Sequence, residues 1–181
     1  ARCSSDVISA INYFKKLINL ESKDLIKMNN LPIYGVGLSL GGTILLNACL
    51  DYDESNGEKL LDGLACVSSP LDLSSCSLCI EKPRNYVYQK WLLHRLKNQL
   101  WDGYNDEGKI LNNEKLRKKI RNLKSIREFD QKFTAPSWGF NSLEDYYIKA
   151  SPIFRIKKLI TKLWIMNTCL QEEGLNQNLA L

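Results

Sequence analysis

The chain has 181 residues, of which 44% are hydrophobic and 25% charged, and its formal net charge is +5. This length suits one domain with a real core, and the composition excludes a disordered chain. No stretch approaches the ~18 uninterrupted apolar residues of a membrane-spanning helix. The chain opens at Ala1 without a signal-peptide pattern, so we expect an intracellular protein, cytoplasmic or membrane-associated, and a sequence that is incomplete at both termini.

Helical and strand-like patterns alternate along the first part of the chain. Apolar residues recur at helical spacing from about Asp6 to Leu20, and Asp6 is placed to favour the helix N-terminus. Short apolar runs at 31–38 and from Leu61 to Ser68 are typical of buried strands. The segment between them is apolar on nearly every side, as in an interior helix. This order predicts an α/β protein with a parallel sheet.

From about Cys76 to Ala150 the pattern becomes helical, charged and aromatic. Helices are predicted at Val87–Leu100, Glu114–Asp130 and Leu143–Lys149, and a strand pattern returns only at Lys158–Asn167. A helical insertion between two strands of a parallel sheet is typical of a lid or cap over an active site.

Residues Gly37 to Gly41 read G-x-S-x-G and lie between the first predicted strand and the helix that follows it. In this context the motif predicts a nucleophile elbow, a sharp strained turn that exposes the hydroxyl of Ser39. We expect both motif glycines to be required because a side chain there would collide with the turn. The backbone N–H of Leu40 would stabilise an oxyanion, and Gly42 would let the helix approach the sheet closely.

The chain also resembles the α/β-hydrolase-domain-containing proteins, in the branch of acylglycerol lipases, carboxylesterases and phospholipases. Four segments carry the resemblance: "VGLSLGG", "VSSPLDL", "SIREFDQKFTAPSWGFNSLEDYYIKASP" and "KLITKLWIMN". It implies an α/β-hydrolase fold, with a parallel sheet, helices on both faces and a helical cap, that hydrolyses lipid or short-chain acyl esters through a Ser-Asp-His triad. Ser39 matches the nucleophile and Leu40 an oxyanion donor; no cofactor or metal is implied.

The resemblance also implies a division of the chain. Residues 1–75 are a partial hydrolase core with the elbow, and 76–150 are the cap. Residues 151–167 return to a core strand, and 168–181 are a divergent tail.

The partners of Ser39 in the triad are missing from the matching positions. Leu170 and Gln171 stand where the family has its acid, and the family histidine would lie beyond the last residue. The one histidine, His94, is interpreted as a packing or surface residue of the cap, and Asp72 as a helix N-terminal carboxylate. We therefore expect this chain alone to be inactive. A non-catalytic, lipid-binding or protein-binding relative remains the alternative.

The segment Lys115–Arg127 carries seven basic residues and no acid. It is interpreted either as a solvated face of a cap helix or as a helix that lies on an anionic membrane surface. Nucleic acid is not expected as a partner because no recognition motif accompanies the charge.

The cysteines and one tryptophan give three further predictions. Cys49 and Cys66 lie in apolar runs and are interpreted as reduced core residues. Cys76 and Cys79 form one CxxC pair without a second pair or a histidine cluster, which argues against zinc. Trp164 alternates with apolar neighbours, and we expect it in the core.

Overall fold

The computed structural model describes residues 2–21, 31–106 and 114–166. The chain divides into two compact units: one consists of the residues up to Leu73 and from Tyr147 onward, the other of Ser74–Tyr146. The second unit is therefore inserted, along the chain, between two parts of the first. The interpretation of this insertion as a cap stays a prediction.

The first unit contains a parallel sheet. Its main elements are α1 (Arg2–Glu21), β1 (Tyr34–Leu38), α2 (Leu40–Asn56), β2 (Gly63–Val67) and β3 (Lys162–Met166). The strands are all parallel in the order β1-β2-β3, with β2 in the middle. The predicted α/β class is confirmed.

Two predicted element starts are wrong. Helix α1 begins at Arg2, so Asp6 lies beyond the first turn, which contains no acidic residue. Strand β3 begins at Lys162 because Ile156–Lys158 form a 3₁₀ turn before it. Packing stabilises α1, since its first turn has no acidic residue to do so. Three of its apolar side chains contact the core of the first unit, namely Val7, Ile8 and Ile11.

The core of the first unit is built from α2, β2 and the segment after each. Its fully buried members include Leu46, Cys49, Leu50, Leu60, Leu64, Cys66 and Leu71. Strand β2 supplies two of them because it is paired on both edges, and central parallel strands are apolar on both faces. Burial of each leucine stabilises the fold by about 1.5–3 kcal/mol.

A buried carboxylate joins the end of α2 to the entry of β3. Asp53 is 2% exposed. Its Oδ1 accepts a hydrogen bond from the backbone N–H of Leu60 (3.0 Å), and its Oδ2 accepts from the N–H groups of Ile160 and Thr161 (both 2.9 Å). Three backbone donors that the sheet does not use are thereby satisfied inside the protein. The sequence pattern did not reveal this role.

Replacing Asp53 by alanine is expected to lower the free energy of unfolding by about 3 kcal/mol or more, because three backbone N–H groups, two of them in buried hydrogen bonds, lose their acceptor. Urea unfolding followed by circular dichroism measures the change. The matched control is Glu54→Ala on the same helix, which removes an acid from surface ion pairs with Arg155 and Lys158 and should change stability little. Equal effects of the two substitutions would contradict the role of Asp53.

One face of the sheet is apolar and exposed. Gly35 lies on the opposite face and points toward α2, because a Cβ there would contact Leu45 of that helix. The side chains that alternate with Gly35 along β1 therefore point away from α2 and lie on the exposed face. The large exposed members of that face are Tyr34, Val36, Leu38, Trp164 and Met166. Trp164 is 52% exposed, and its placement in the core was wrong. Its indole lies across Gly63, 2.5 Å from where a Cβ would stand.

The second unit is helical. Helices α3 (Leu73–Ile80) and α8 (Leu143–Ala150) reach across its two boundaries, and between them lie α4 (Tyr86–Asp106), α5 (Glu114–Arg121), α6 (Ile126–Phe129) and α7 (Ala135–Ser137). Its core consists of Leu93, Ile120, Leu123, Ile126, Phe129 and Phe133. Within the described ranges, no helix has both the length and the apolar character needed to span a membrane.

The predicted helix Glu114–Asp130 is interrupted. Helix α5 ends at Arg121, and a new helix begins after Ser125, whose hydroxyl caps it by accepting from the N–H of Glu128 (3.2 Å). The Ser125 side chain hydrogen-bonds to the backbone at this point, as N-cap residues do, and this favours the start of a new helix over the continuation of α5. The turn between the helices is closed by Lys97, whose ammonium donates to the carbonyl of Leu123 (2.7 Å).

Candidate active site

Ser39 occupies a strained turn between β1 and α2. Its backbone has φ 50° and ψ −131°, and it directly precedes the first residue of α2. A positive φ in a residue with a Cβ costs about 1–3 kcal/mol and persists only where the surroundings hold it. Here the N–H of Ser39 donates to the carbonyl of Val67 (2.9 Å), and its own carbonyl accepts from the N–H of Gly42 (3.1 Å).

The Ser39 side chain is exposed and makes no capping hydrogen bond to α2. Serine at the start of a helix commonly caps it. The turn instead leaves Ser39 exposed at the surface.

Two glycines let α2 pack closely on the sheet. A Cβ at Gly37 would overlap the Cα of Gly42 and lie 2.7 Å from its N. A Cβ at Gly42 would overlap Oγ of Ser69 and lie 2.9 Å from the carbonyl oxygen of Gly37. Both residues are buried. The glycine pair therefore brings the start of α2 against β1 and the segment after β2.

Gly41 does not share this constraint. A Cβ at Gly41 would meet no atom within 4 Å, and the residue is exposed. The collision expected at this position was wrong, because Gly41 lies in the first turn of α2 on its outer side. Sequence spacing alone did not separate the inner glycine of the motif from the outer one.

The carboxyl ends of the three strands lie at one edge of the sheet. Leu38, Val67 and Met166 are aligned across it, so Ser39 stands at the edge where open parallel sheets bind their ligands. Ser68 follows β2 at the same edge and also has φ 50°; its N–H donates to Met166 (2.7 Å). The sequence did not single out Ser68, and its flanks lack the glycines that mark the other turn.

Leu40, the predicted oxyanion donor, is the first residue of α2. The first N–H groups of a helix have no acceptor within the helix, and the helix dipole makes this end positive. The N–H of Leu40 thus has the chemistry that stabilises an oxyanion. Its catalytic role stays a prediction, as does that of Ser39.

The other ionisable residues considered from the sequence lie elsewhere. His94 belongs to the second unit, is exposed on α4, and shares a hydrogen bond between its Nε2 and Nδ2 of Asn98 (3.1 Å). Asp72 directly precedes α3. Leu170 and Gln171 lie outside the described residues.

The cysteines differ in environment. Cys49 and Cys66 are free and buried, as predicted, and burial raises the pKa of the Cys49 thiol to about 12 and that of Cys66 to about 11. Neither is a nucleophile at neutral pH. Cys76 and Cys79 lie half-buried on α3. Among the described residues, no three His, Cys, Asp or Glu side chains form a group that could hold a metal ion.

A strained serine at the carboxyl edge of a parallel sheet, between a strand and a helix packed through glycines, defines the α/β-hydrolase class. The chain is 32% identical to human Phospholipase ABHD3 over 140 residues, which is 76% of this chain and 32% of that protein. It is 34% identical to mouse Phospholipase ABHD3 over 131 residues, 71% of this chain and 30% of the relative.

A third relative is Monoacylglycerol lipase of Saccharomyces cerevisiae, 27% identical over 135 residues, 73% of this chain and 29% of the relative. The chain belongs to the α/β-hydrolase-domain-containing family, and it spans about a third of the length of the curated relatives that it matches. No family model matches it, and no solved structure matches it significantly.

Proposed function

We propose that the chain carries the nucleophile of a serine hydrolase that cleaves carboxylic esters of lipids. The observation that supports this most is the turn at Ser39, where a positive φ exposes a serine hydroxyl at the carboxyl edge of the sheet. Such strain is retained where function needs it. The names of the relatives, a phospholipase and a monoacylglycerol lipase, favour lipid esters as the substrate class.

In this reaction Oγ of Ser39 bonds to the ester carbonyl carbon while its proton passes to a base. The carbonyl oxygen becomes an oxyanion, which the N–H of Leu40 stabilises. Collapse of this intermediate breaks the bond to the alcohol oxygen, which leaves with the proton held by the base. Water then attacks the acyl-enzyme by the same steps and releases the carboxylic acid.

The base for this reaction is not a histidine of the first unit. The only histidine of the sequence is His94, and it belongs to the second unit. A serine hydroxyl without a base is a poor nucleophile. The second candidate function is a non-catalytic form of the fold that binds lipid or protein.

The second unit is proposed as the cap of the hydrolase. It is helical and is inserted between β2 and β3 along the chain. Insertions at the carboxyl edge of such sheets commonly shape the substrate site. The cap also carries the net charge: residues 74–146 contain 14 lysines and arginines against nine aspartates and glutamates.

Helix α5 is proposed to dock the cap on an anionic membrane by charge alone. Its basic residues include Lys118, Lys119 and Arg121, which are exposed, whereas Ile120 is 2% exposed and Leu116 packs against the same core. Because the apolar side of α5 is used within the second unit, it cannot insert into lipid as an amphipathic anchor would.

The triple variant Lys118→Glu, Lys119→Glu, Arg121→Glu is expected to weaken binding to phosphatidylserine vesicles at least tenfold, since each charge near such a surface contributes about 1 kcal/mol. Vesicle co-sedimentation at two salt concentrations measures it. The matched control reverses three exposed lysines of the first unit, Lys16, Lys157 and Lys162. An equal loss in the control would show that net charge alone accounts for vesicle binding. It would contradict the proposal that α5 is the docking helix.

The hydrolase proposal is tested by placing this chain in a complete relative, human Phospholipase ABHD3, in exchange for the segment that it matches. Hydrolysis of p-nitrophenyl butyrate should then depend on Ser39.

A further inference from the structure

The second unit contains a cavity of about 440 Å³ that the hydrolase proposal does not use. One face of α4 forms most of its wall, because residues spaced three and four apart lie on the same side of a helix. The remainder comes from the turn after α5, at Leu123 and Lys124. The volume falls within the range of small-molecule sites in proteins.

The polar lining of this cavity is basic. Three lysines face it together with an imidazole and an amide: Gln89, Lys90, His94, Lys97 and Lys124. Among the residues that the structure describes, none that lines the cavity is acidic. The nearby Glu128 is engaged elsewhere, since its Oε2 accepts from the N–H of Lys124 (2.7 Å) and its Oε1 pairs with the ammonium of Lys132.

Two backbone carbonyl groups hold the ammonium group of Lys97 in place. Its Nζ donates to the carbonyl of Arg121 (3.0 Å) and to that of Leu123 (2.7 Å). Two of its three N–H donors are thereby used, and the negative end of the α5 dipole stabilises its charge. Burial lowers the pKa of Lys97, while the charge of Glu128 opposes that change. An anion in the cavity would favour the charged lysine further.

Gln89 is the buried donor of the cavity. The residue is 8% exposed, and water competes little for a hydrogen bond that a buried amide donates to a ligand. Lys90 is positioned over the ring of Tyr86, 4.5 Å from its centroid. The lining of the cavity thus combines a buried amide side chain, an ammonium group held by two carbonyl groups, and further basic side chains.

We propose that this cavity binds the phosphate group of a phosphate ester. A phosphate offers three or four acceptor oxygens and up to two charges, which match three ammonium groups, an imidazole and an amide better than the two oxygens of a carboxylate do. The volume leaves room for the group esterified to the phosphate. Lysine and backbone-anchored donors are common phosphate ligands.

The phosphate could belong to a phospholipid headgroup or to a soluble phosphate ester. The site lies wholly in the second unit, and it does not require that Ser39 react. Binding is therefore measured in the full chain carrying Ser39→Ala, so that a failure of the hydrolase proposal and a failure of this one are distinguishable.

The test is isothermal titration with three probes: inorganic phosphate, sn-glycerol 3-phosphate, and dihexanoylphosphatidylcholine below its micelle concentration. We expect saturable binding of at least one glycerol-containing probe. Binding of glycerol 3-phosphate alone assigns a soluble ester, and binding of the short-chain lipid assigns a headgroup. Absence of binding for all three probes would overturn the site.

Two variants locate the binding. Lys90→Gln with Lys124→Gln is expected to weaken it at least tenfold, and Gln89→Leu, which changes no charge, at least fivefold. The matched control, Arg84→Gln with Arg95→Gln, removes the same charge from exposed positions of the second unit that do not line the cavity and should change binding less than twofold. Equal weakening by the control, or full binding by Gln89→Leu, would overturn the assignment; circular dichroism verifies that each variant is folded.

Discussion

Ester hydrolysis by the chimera with human Phospholipase ABHD3 is expected to fall by about a million-fold when Ser39 becomes alanine, as when the nucleophile of a comparable serine hydrolase is removed. The reason is chemical: without Oγ no acyl-enzyme can form, and only positioning and oxyanion donors remain. The hydrolysis of p-nitrophenyl butyrate measures the loss, and fluorophosphonate labelling followed by mass spectrometry identifies the residue that reacts.

The matched control for this experiment is Ser68→Ala. Ser68 also follows a strand at the carboxyl edge of the sheet and has the same φ of 50°, yet it lacks the glycine-packed helix start that follows Ser39. Hydrolysis by the Ser68→Ala chimera should stay within about fivefold of the parent chimera. Retained activity in Ser39→Ala, or loss only in Ser68→Ala, would contradict Ser39 as the nucleophile.

The 181-residue chain by itself provides a second comparison. We expect no detectable fluorophosphonate labelling at Ser39, because these 181 residues contain no histidine at a position that matches the family's triad and serine needs a base. Robust labelling of the isolated chain would show that it contains a base that we have not identified.

The parts of the fold that follow local rules were predictable. Strands β1 and β2 and helix α2 come from apolar runs bounded by glycine and asparagine, and the turn at Ser39 from its motif in that setting. Asp53 was not predictable, because its partners Ile160 and Thr161 lie more than 100 positions along the chain. The break after Arg121 also depends on a distant group, the ammonium of Lys97.

The candidate site shows the same limit. The motif predicted a close approach of helix and sheet, but a pattern of letters cannot tell which glycine faces the sheet and which faces solvent. Trp164 is a second example, since an alternating strand identifies two faces without saying which is covered. Positions that depend on local backbone geometry were therefore predicted better than those that depend on which surfaces meet.

Gly37→Ala and Gly41→Ala are expected to differ strongly in stability, although both add one methyl group to a glycine of the same motif. The Cβ added at Gly37 would overlap the Cα of Gly42. The backbone of β1 and that of α2 meet at this point, and neither can move aside as a flexible side chain would. Overpacking of this kind costs about 1–3 kcal/mol and sometimes more; we expect a loss of about 3 kcal/mol in the free energy of unfolding.

The Cβ added at Gly41 would meet open space, and alanine is favoured over glycine in a helix by up to about 1 kcal/mol. Gly41→Ala should therefore be neutral or slightly stabilising in urea unfolding of the full chain. The comparison also bears on function: in the chimera, Gly37→Ala should displace the start of α2 and with it both Ser39 and the N–H of Leu40, whereas Gly41→Ala should retain activity. If the two alanine variants unfold at the same urea concentration, the helix does not pack on the sheet at Gly37, and the turn that exposes Ser39 is not held as described.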